Sequence, residues 1–158
     1  MRICKQILGV QKQTTNVGVL LEIGRIPLGI WAAKFSVKNW ERIRLGSGNE
    51  ILIEIFKEGD LCWDLSIKSL LEKNGMLNFY IDNPITEYPF IFKKLYQRLY
   101  DNFHESSFGV IQENSSKLRT YALFKTKPGI EKYLIGIKNV FIRQEVTKFR
   151  LSNHSRNR

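Results

Sequence analysis

The chain has 158 residues, the usual size of one globular domain. Its hydrophobic content of 43% is enough for a core, and its aromatic content of 12% excludes a disordered chain. The formal net charge of +10 predicts a polyanionic partner, with nucleic acid ahead of an anionic membrane surface.

The excess positive charge lies in the C-terminal part of the sequence. Residues 1–90 contain 11 Lys/Arg and 10 Asp/Glu, whereas residues 91–158 contain 14 and 5, a net charge of +9. A proline-containing break at residues 82–89 comes between the two parts. We therefore predict an N-terminal helical half, residues 1–82, and a basic helical half, residues 83–158, within one continuous domain.

Cysteine content and hydropathy bear on the location of the protein. The two cysteines, Cys4 and Cys62, do not make a disulfide framework. No apolar run approaches the roughly 20 residues that a membrane span needs, and the first residues become polar too soon for a secretory signal. These features predict an intracellular, reducing location and no membrane partner.

Apolar periodicity predicts an all-α fold, an irregular bundle of roughly six to eight helices. The first two helices are predicted at residues 3–10 and 16–23, the second with Thr14 or Thr15 as its cap and Gly24 at its end. A third helix is predicted over residues 27–45, with Pro27 as its first residue and Gly46 just past its end.

This third helix has apolar side chains on two sides. One side carries Leu28, Trp31, Ala32 and Phe35, and the other carries Ile30, Ala33, Val37 and Trp40. Because a helix that is apolar on two faces packs on both, we predict that Trp31 and Trp40 are both mostly buried.

The remaining elements follow in chain order. The stretch "NEILIEIFKEGD" alternates like a strand at Ile51, Ile53 and Ile55, but its charge spacing and its neighbours favour a short helix. Further helices are predicted from a cap at Asp64 to Gly75, from residue 90 onward, and around residues 117–125 and 139–151. In the last helix, Ile142, Val146 and Phe149 are predicted to face inward, with Arg143 and Arg150 on one flank.

The sequence has no catalytic or metal-binding signature. The glycines of "GSGNE" lack the Lys-Ser/Thr that a phosphate-binding loop needs, and His104 and His154 stand fifty residues apart. The carboxylates Asp60, Asp64, Asp82 and Glu87 are better explained as helix caps and solvated loop residues. We predict no catalytic residue, no metal site and no cofactor.

Basic and aromatic residues are interleaved in "SSKLRTYALFKTKPGIEKYL", residues 115–134. A single basic surface that contacts phosphates is predicted from Lys117, Arg119, Lys125, Lys127, Arg143 and Arg150. Two roles remain open for the aromatic residues: Tyr121 either stacks on bases or belongs to the core, and core is favoured for Phe124.

Two long stretches resemble the region after the polymerase core of non-LTR (LINE-type) retrotransposon reverse transcriptases. The first is "CKQILGVQKQTTNVGVLLEIGRIPLGIWAAKFSVKNWERI", with marks at Glu22, Gly24-Arg25 and Lys38-x-Trp40. The second includes Lys117-Leu118, Tyr121, Phe124-Lys125, Glu131-x-Tyr133-Leu134 and Phe149-Arg150-Leu151-Ser152-Asn153-His154. No single mark is catalytic, and the resemblance depends on their order along the chain.

The resemblance implies a helical region around the polymerase thumb and the linker after it, which holds RNA or an RNA/DNA hybrid by its backbone. The family's upstream Phe/Tyr-x-Asp-Asp metal site does not occur in this sequence. The resemblance thus implies a non-catalytic piece of a reverse-transcriptase-like protein. The alternatives are a protein-interaction module and a non-functional retroelement relic, in which the positive charge serves only solubility.

Overall fold

The structure, a computed structural model, describes residues 1–47, 49–57, 62–81, 91–113 and 118–151, without the side chain of Arg119. Ten helices lie in these ranges, so the predicted all-α class is confirmed. They are α1 (Arg2–Ile7), α2 (Asn16–Glu22), α3 (Leu28–Arg44), α4 (Glu50–Lys57), α5 (Cys62–Lys73), α6 (Asn78–Ile81), α7 (Ile91–Gln112), α8 (Arg119–Ala122), α9 (Lys132–Gly136) and α10 (Val140–Arg150). The helices exceed the predicted six to eight because α6, α8 and α9 are single turns, too short to show a period.

The chain forms two compact units. The terminal unit combines residues 1–26 with residues 103–158, and the central unit is residues 27–102. Helix α7 contributes its first part to the central unit and its second part to the terminal unit. This division differs from the predicted boundary between residues 82 and 83, because α1 and α2 pack with the C-terminal helices. Composition along the sequence cannot show contacts between such distant segments. The predicted break at residues 82–89 lies outside the described residues.

The core of the terminal unit joins both ends of the chain. Its buried apolar residues are Leu8, Val10, Val19, Leu21, Ile111, Leu118, Tyr121 and Leu151. Gly24 ends α2 with a φ of +62°, and Ile23 forms an isolated antiparallel bridge with Ile130. A Cβ atom on Gly24 would lie 2.3 Å from the backbone nitrogen of Ile130, so the close approach of the two segments requires glycine there.

The core of the central unit is built around Trp40, which is 1% exposed. Around it pack Val37, Ile67, Leu71, Met76, Ile91 and Leu95. The Trp40 indole Nε1 donates a hydrogen bond of 2.7 Å to Asp64, and the Tyr80 hydroxyl donates one of 2.5 Å to the other oxygen of the same carboxylate. The prediction that Asp64 caps α5 is wrong, because the helix begins at Cys62 and Asp64 lies in its first turn.

Helix α3 is packed mainly on one face. The burial of Trp40 is confirmed, but the predicted burial of Trp31 is wrong, since that side chain is 39% exposed. Leu28 and Phe35, on the same side of the helix as Trp31, are also exposed. A helix with two buried faces needs partners on both sides, and a unit of this size has few helices to supply them.

Candidate nucleic-acid interface

The centre of the terminal unit is a buried carboxylate, Glu22, the last residue of α2. This residue is 0% exposed. Its Oε1 accepts a hydrogen bond of 2.8 Å from Arg150 Nε and one of 2.6 Å from the hydroxyl of Tyr133. The backbone carbonyl of Glu22 also accepts from the backbone N–H of Glu131 at 3.2 Å. Glu22 therefore links α2 to α9 and α10, which lie more than one hundred residues away along the chain.

A second carboxylate, Glu131, completes the charge balance. It forms an ion pair with Arg150 Nη2 at 2.8 Å and accepts a hydrogen bond from Lys125 Nζ at 2.6 Å. Lys125, whose side chain is 1% exposed, also donates to the carbonyl of Gly129 at 2.6 Å. Glu22, Lys125, Glu131 and Arg150, here called the ionic cluster, thus hold two positive and two negative charges.

Aromatic rings surround the guanidinium of Arg150. Its Cζ lies 5.5 Å from the ring centroids of Tyr121, Phe124 and Tyr133. Burial alone would lower the pKa of Arg150, but the hydrogen bond and charge of Glu22 and the charge of Glu131 raise the pKa overall. The guanidinium therefore stays protonated in the folded chain.

The two tyrosines of this shell stay neutral. Burial, followed by the charge of Glu22, raises the pKa of Tyr121, although its hydroxyl makes no hydrogen bond of ordinary geometry. Burial and the hydrogen bond to Glu22 likewise raise the pKa of Tyr133. Both hydroxyls are held protonated beside a carboxylate, which favours a structural role for the shell.

The structure corrects the predicted position of three site residues. Tyr121 and Lys125 are buried, and the Arg150 side chain is 12% exposed, so all three lie in the interior instead of on a basic surface. Of the two roles left open for Tyr121, burial favours the core. Phe124, for which core was favoured, is exposed. The sequence could not show this arrangement because the buried partner, Glu22, is 128 residues from Arg150.

The other predicted site residues have different surroundings. Lys127 is exposed and has no ion pair among the described residues. Arg143 is half-buried and donates to the carbonyl of Leu134 at 3.2 Å. Lys117 and the side chain of Arg119 lie outside the described residues. Phosphate contact by any of the six basic residues stays a prediction.

Helix α10 also turns a different face inward from the one predicted. Ile142 and Phe149 are exposed, whereas Thr147 is buried and its hydroxyl lies 2.5 Å from that of Tyr133. Arg150 is on this inner side of the helix. The prediction was wrong for Ile142 and Phe149, because polar residues with partners occupy the inner side. Val146, the third residue predicted to face inward, is half-buried.

Exposed cations of the terminal unit make a second, larger candidate set. They are Arg2, Lys12, Arg25, Lys127, Lys132 and Lys138. None forms an ion pair with another residue in the described ranges. Arg25 and Lys132 each follow the Ile23–Ile130 bridge by two residues, and Lys127 precedes it in the same loop. Three of the six come from the first 26 residues, in the half that the charge count had shown as nearly neutral.

Neither metal nor membrane chemistry is evident in the described part of the chain. No group of three or more His, Cys, Asp or Glu side chains there is placed to hold a metal ion. None of the described helices is both long and apolar enough to cross a membrane.

Comparisons with protein-family models, curated proteins and solved structures return no match to this chain. Any assignment therefore depends on the residues and their geometry.

Proposed function

We propose that the chain is a sequence-independent nucleic-acid-binding protein that contacts the phosphate backbone of RNA or an RNA/DNA hybrid, with the terminal unit as its binding part. One observation carries the proposal. The terminal unit contains 15 Lys/Arg and 5 Asp/Glu, whereas the central unit contains 10 of each, so the whole net charge of +10 belongs to the terminal unit. A charge concentrated on one unit is the electrostatic pattern of a polyanion-binding surface.

The ionic cluster uses few of the positive charges of the terminal unit. Lys125 and Arg150 are neutralised inside the unit by Glu131 and Glu22. The other 13 Lys/Arg of the unit are balanced by only three Asp/Glu. Side chains such as Lys127 are solvated and unpaired, which suits contact with phosphates, and no base-reading arrangement is required.

We also propose that the chain is a non-catalytic helical region of a reverse-transcriptase-like protein of the non-LTR retrotransposon type. Six marks of that resemblance lie together in the terminal unit, which supports this proposal. These marks belong to the ionic cluster or to the aromatic rings around Arg150: Glu22, Tyr121, Lys125, Glu131, Tyr133 and Arg150. Gly24 stands at the close approach beside the cluster. The genomic sequence upstream of the reading frame tests this: polymerase motifs there would support the proposal, and their absence would count against it.

A charge-removal experiment tests the binding proposal. Replacing Lys127 and Lys132 with alanine should weaken binding to all sequences about equally. It should also lower the slope of log affinity against log salt by about two, because two counterion-releasing contacts are lost. The matched control replaces Lys57 and Lys73, two exposed lysines of the central unit, and should leave the slope unchanged. Equal effects of the two double variants would contradict a binding surface on the terminal unit.

The alternative function is a protein-interaction module. Helix α4 favours it, because none of its eight residues is buried and Ile51, Leu52 and Ile55 are exposed. If the protein binds neither RNA nor DNA at low salt, this alternative, or a relic without function, replaces nucleic-acid binding.

A further inference from the structure

A row of aromatic rings lies on the surface of the central unit, on one of the two faces of α3 that were predicted to be buried. The ring centroids of Phe35 and Trp31 are 6.3 Å apart, those of Trp31 and Tyr96 are 5.3 Å apart, and those of Tyr96 and Tyr100 are 6.2 Å apart. The four residues, two from α3 and two from α7, are here called the aromatic row.

The aromatic row is accessible to a ligand. Trp31 is 39% exposed and Phe35 is 53% exposed, and Leu28, one turn before Trp31, is also open to solvent. Large aromatic side chains usually bury most of their surface in a core. Trp31 and Phe35 are exposed and continue into the half-buried Tyr96 and Tyr100, and a contiguous exposed apolar patch of this kind is typical of a binding site.

Lysines give this row a positive edge. The Nζ of Lys34 lies 5.0 Å from the ring centroid of Trp31 and 4.3 Å from that of Tyr96. Two exposed lysines lie nearby. Lys38 is one turn after Lys34 on α3, and Lys93 is one turn before Tyr96 on α7. The single carboxylate of α3, Glu41, is buried and accepts a hydrogen bond from the backbone N–H of Ile91. Rings flanked by cations suit a ligand with flat aromatic groups and negative charge.

We propose that the aromatic row is a stacking platform for the unpaired bases of single-stranded nucleic acid, with Lys34, Lys38 and Lys93 near the adjacent phosphates. Every base has a π face, so stacking on Trp31 and Phe35 tolerates any sequence, and lysines beside the rings select a polyanionic chain. The platform rests on the proposed nucleic-acid function and adds to it a preference for single strands. The platform also places base stacking on the central unit, whereas the stacking role considered for Tyr121 would have placed it on the terminal unit.

The test measures affinity for a labelled oligothymidylate and for a blunt duplex at the same salt concentration. Trp31→Ala should weaken binding of the single strand about fivefold or more, and of the duplex less than about twofold. Trp31→Phe, which keeps a stacking ring, should retain most of the affinity. The control is Phe141→Ala, which removes an exposed aromatic ring from the terminal unit and should have no effect.

Tryptophan fluorescence gives an independent readout. Oligothymidylate should quench the wild-type emission, and Trp31→Phe should abolish most of that quenching. Of the other two tryptophans, Trp40 is buried, and Trp63 is a half-buried residue of α5 outside the aromatic row. Circular dichroism of each variant confirms that it is folded.

Three results would overturn the platform. Wild-type-like binding of single strands by Trp31→Ala, with salt-dependent duplex binding intact, would overturn the platform and leave the proposed function standing. Failure of the wild type to bind any nucleic acid would overturn both. A wild-type dimer that Trp31→Ala converts to a monomer would identify the row as a self-association surface instead.

Discussion

Replacing Arg150 with methionine should destabilise the terminal unit more than any other single change in the ionic cluster. Methionine keeps much of the side-chain volume but removes the cation that serves both carboxylates. Glu131 would keep Lys125. Glu22 would lose the one charged partner that it has among the described residues and would keep the hydrogen bond from Tyr133. A carboxylate that is 0% exposed would then be buried without a counter-charge.

The magnitude follows from that unpaired charge. Removing one partner of a buried ion pair costs about 3–5 kcal/mol. A domain of this size is stable by only about 5–15 kcal/mol. Arg150→Met should therefore lose a large share of the free energy of unfolding. Arg143→Met is the control on the same helix, because its single hydrogen bond to the Leu134 carbonyl is only partly buried and should cost about 1–2 kcal/mol.

The assay is urea denaturation followed by far-ultraviolet circular dichroism. A second variant, Glu22→Gln with Arg150→Met, removes both charges and should be more stable than Arg150→Met alone by at least about 1 kcal/mol. If Arg150→Met unfolds less than about 1 kcal/mol more easily than the wild type, the reasoning is refuted. It is also refuted if the double variant is the less stable of the two.

The central unit provides three further tests. Asp64→Ala leaves the buried Trp40 indole without its acceptor and should lower the free energy of unfolding by about 1–3 kcal/mol, measured by tryptophan fluorescence in urea; no change would contradict this. Burial raises the pKa of Glu41, and the hydrogen bond from the Ile91 N–H partly offsets this effect. The contribution of Glu41 to stability is therefore greatest at low pH, where the carboxyl is protonated, and is lost as the pH rises above about 4.5. The urea midpoint of Glu41→Gln should therefore increase relative to that of the wild type as the pH rises through this range. A difference in midpoint that does not change with pH would contradict this prediction. Iodide should quench the folded protein mainly through Trp31, because Trp40 is buried and Trp63 is half-buried, and Trp31→Phe should remove most of that quenching. Equal quenching of wild type and variant would mean that Trp31 is buried.

The longer helices and the glycines that end them could be predicted because their signals are local. The glycines predicted to end helices have positive φ values: +62° at Gly24, +68° at Gly46 and +62° at Gly75. The helical interpretation of residues 50–57 is confirmed over the strand alternative, as α4 shows. In each case a short stretch of chain contains the periodicity or the turn residue that decides the structure.

The orientation of the helices could not be predicted in the same way. Periodicity places Ile142 and Phe149 on the inner side of α10, but the structure places Thr147 and Arg150 there. A polar face becomes the inner one only if distant residues supply its partners, and no local pattern marks Glu22 as such a partner. The same limit explains the wrong prediction for Lys125. Its neighbours in the sequence suggested an exposed basic patch, but Lys125 is buried in an ion pair with Glu131.

The most direct test of the central claim is a salt titration of the wild-type protein with two duplexes of unrelated sequence. If the terminal unit binds phosphates through its unpaired cations, the two duplexes should bind with equal affinity. Log affinity should then fall linearly with log salt, by about 0.9 for each phosphate neutralised, with several phosphates engaged. Absence of binding at low salt, or binding that does not depend on salt, would contradict the account.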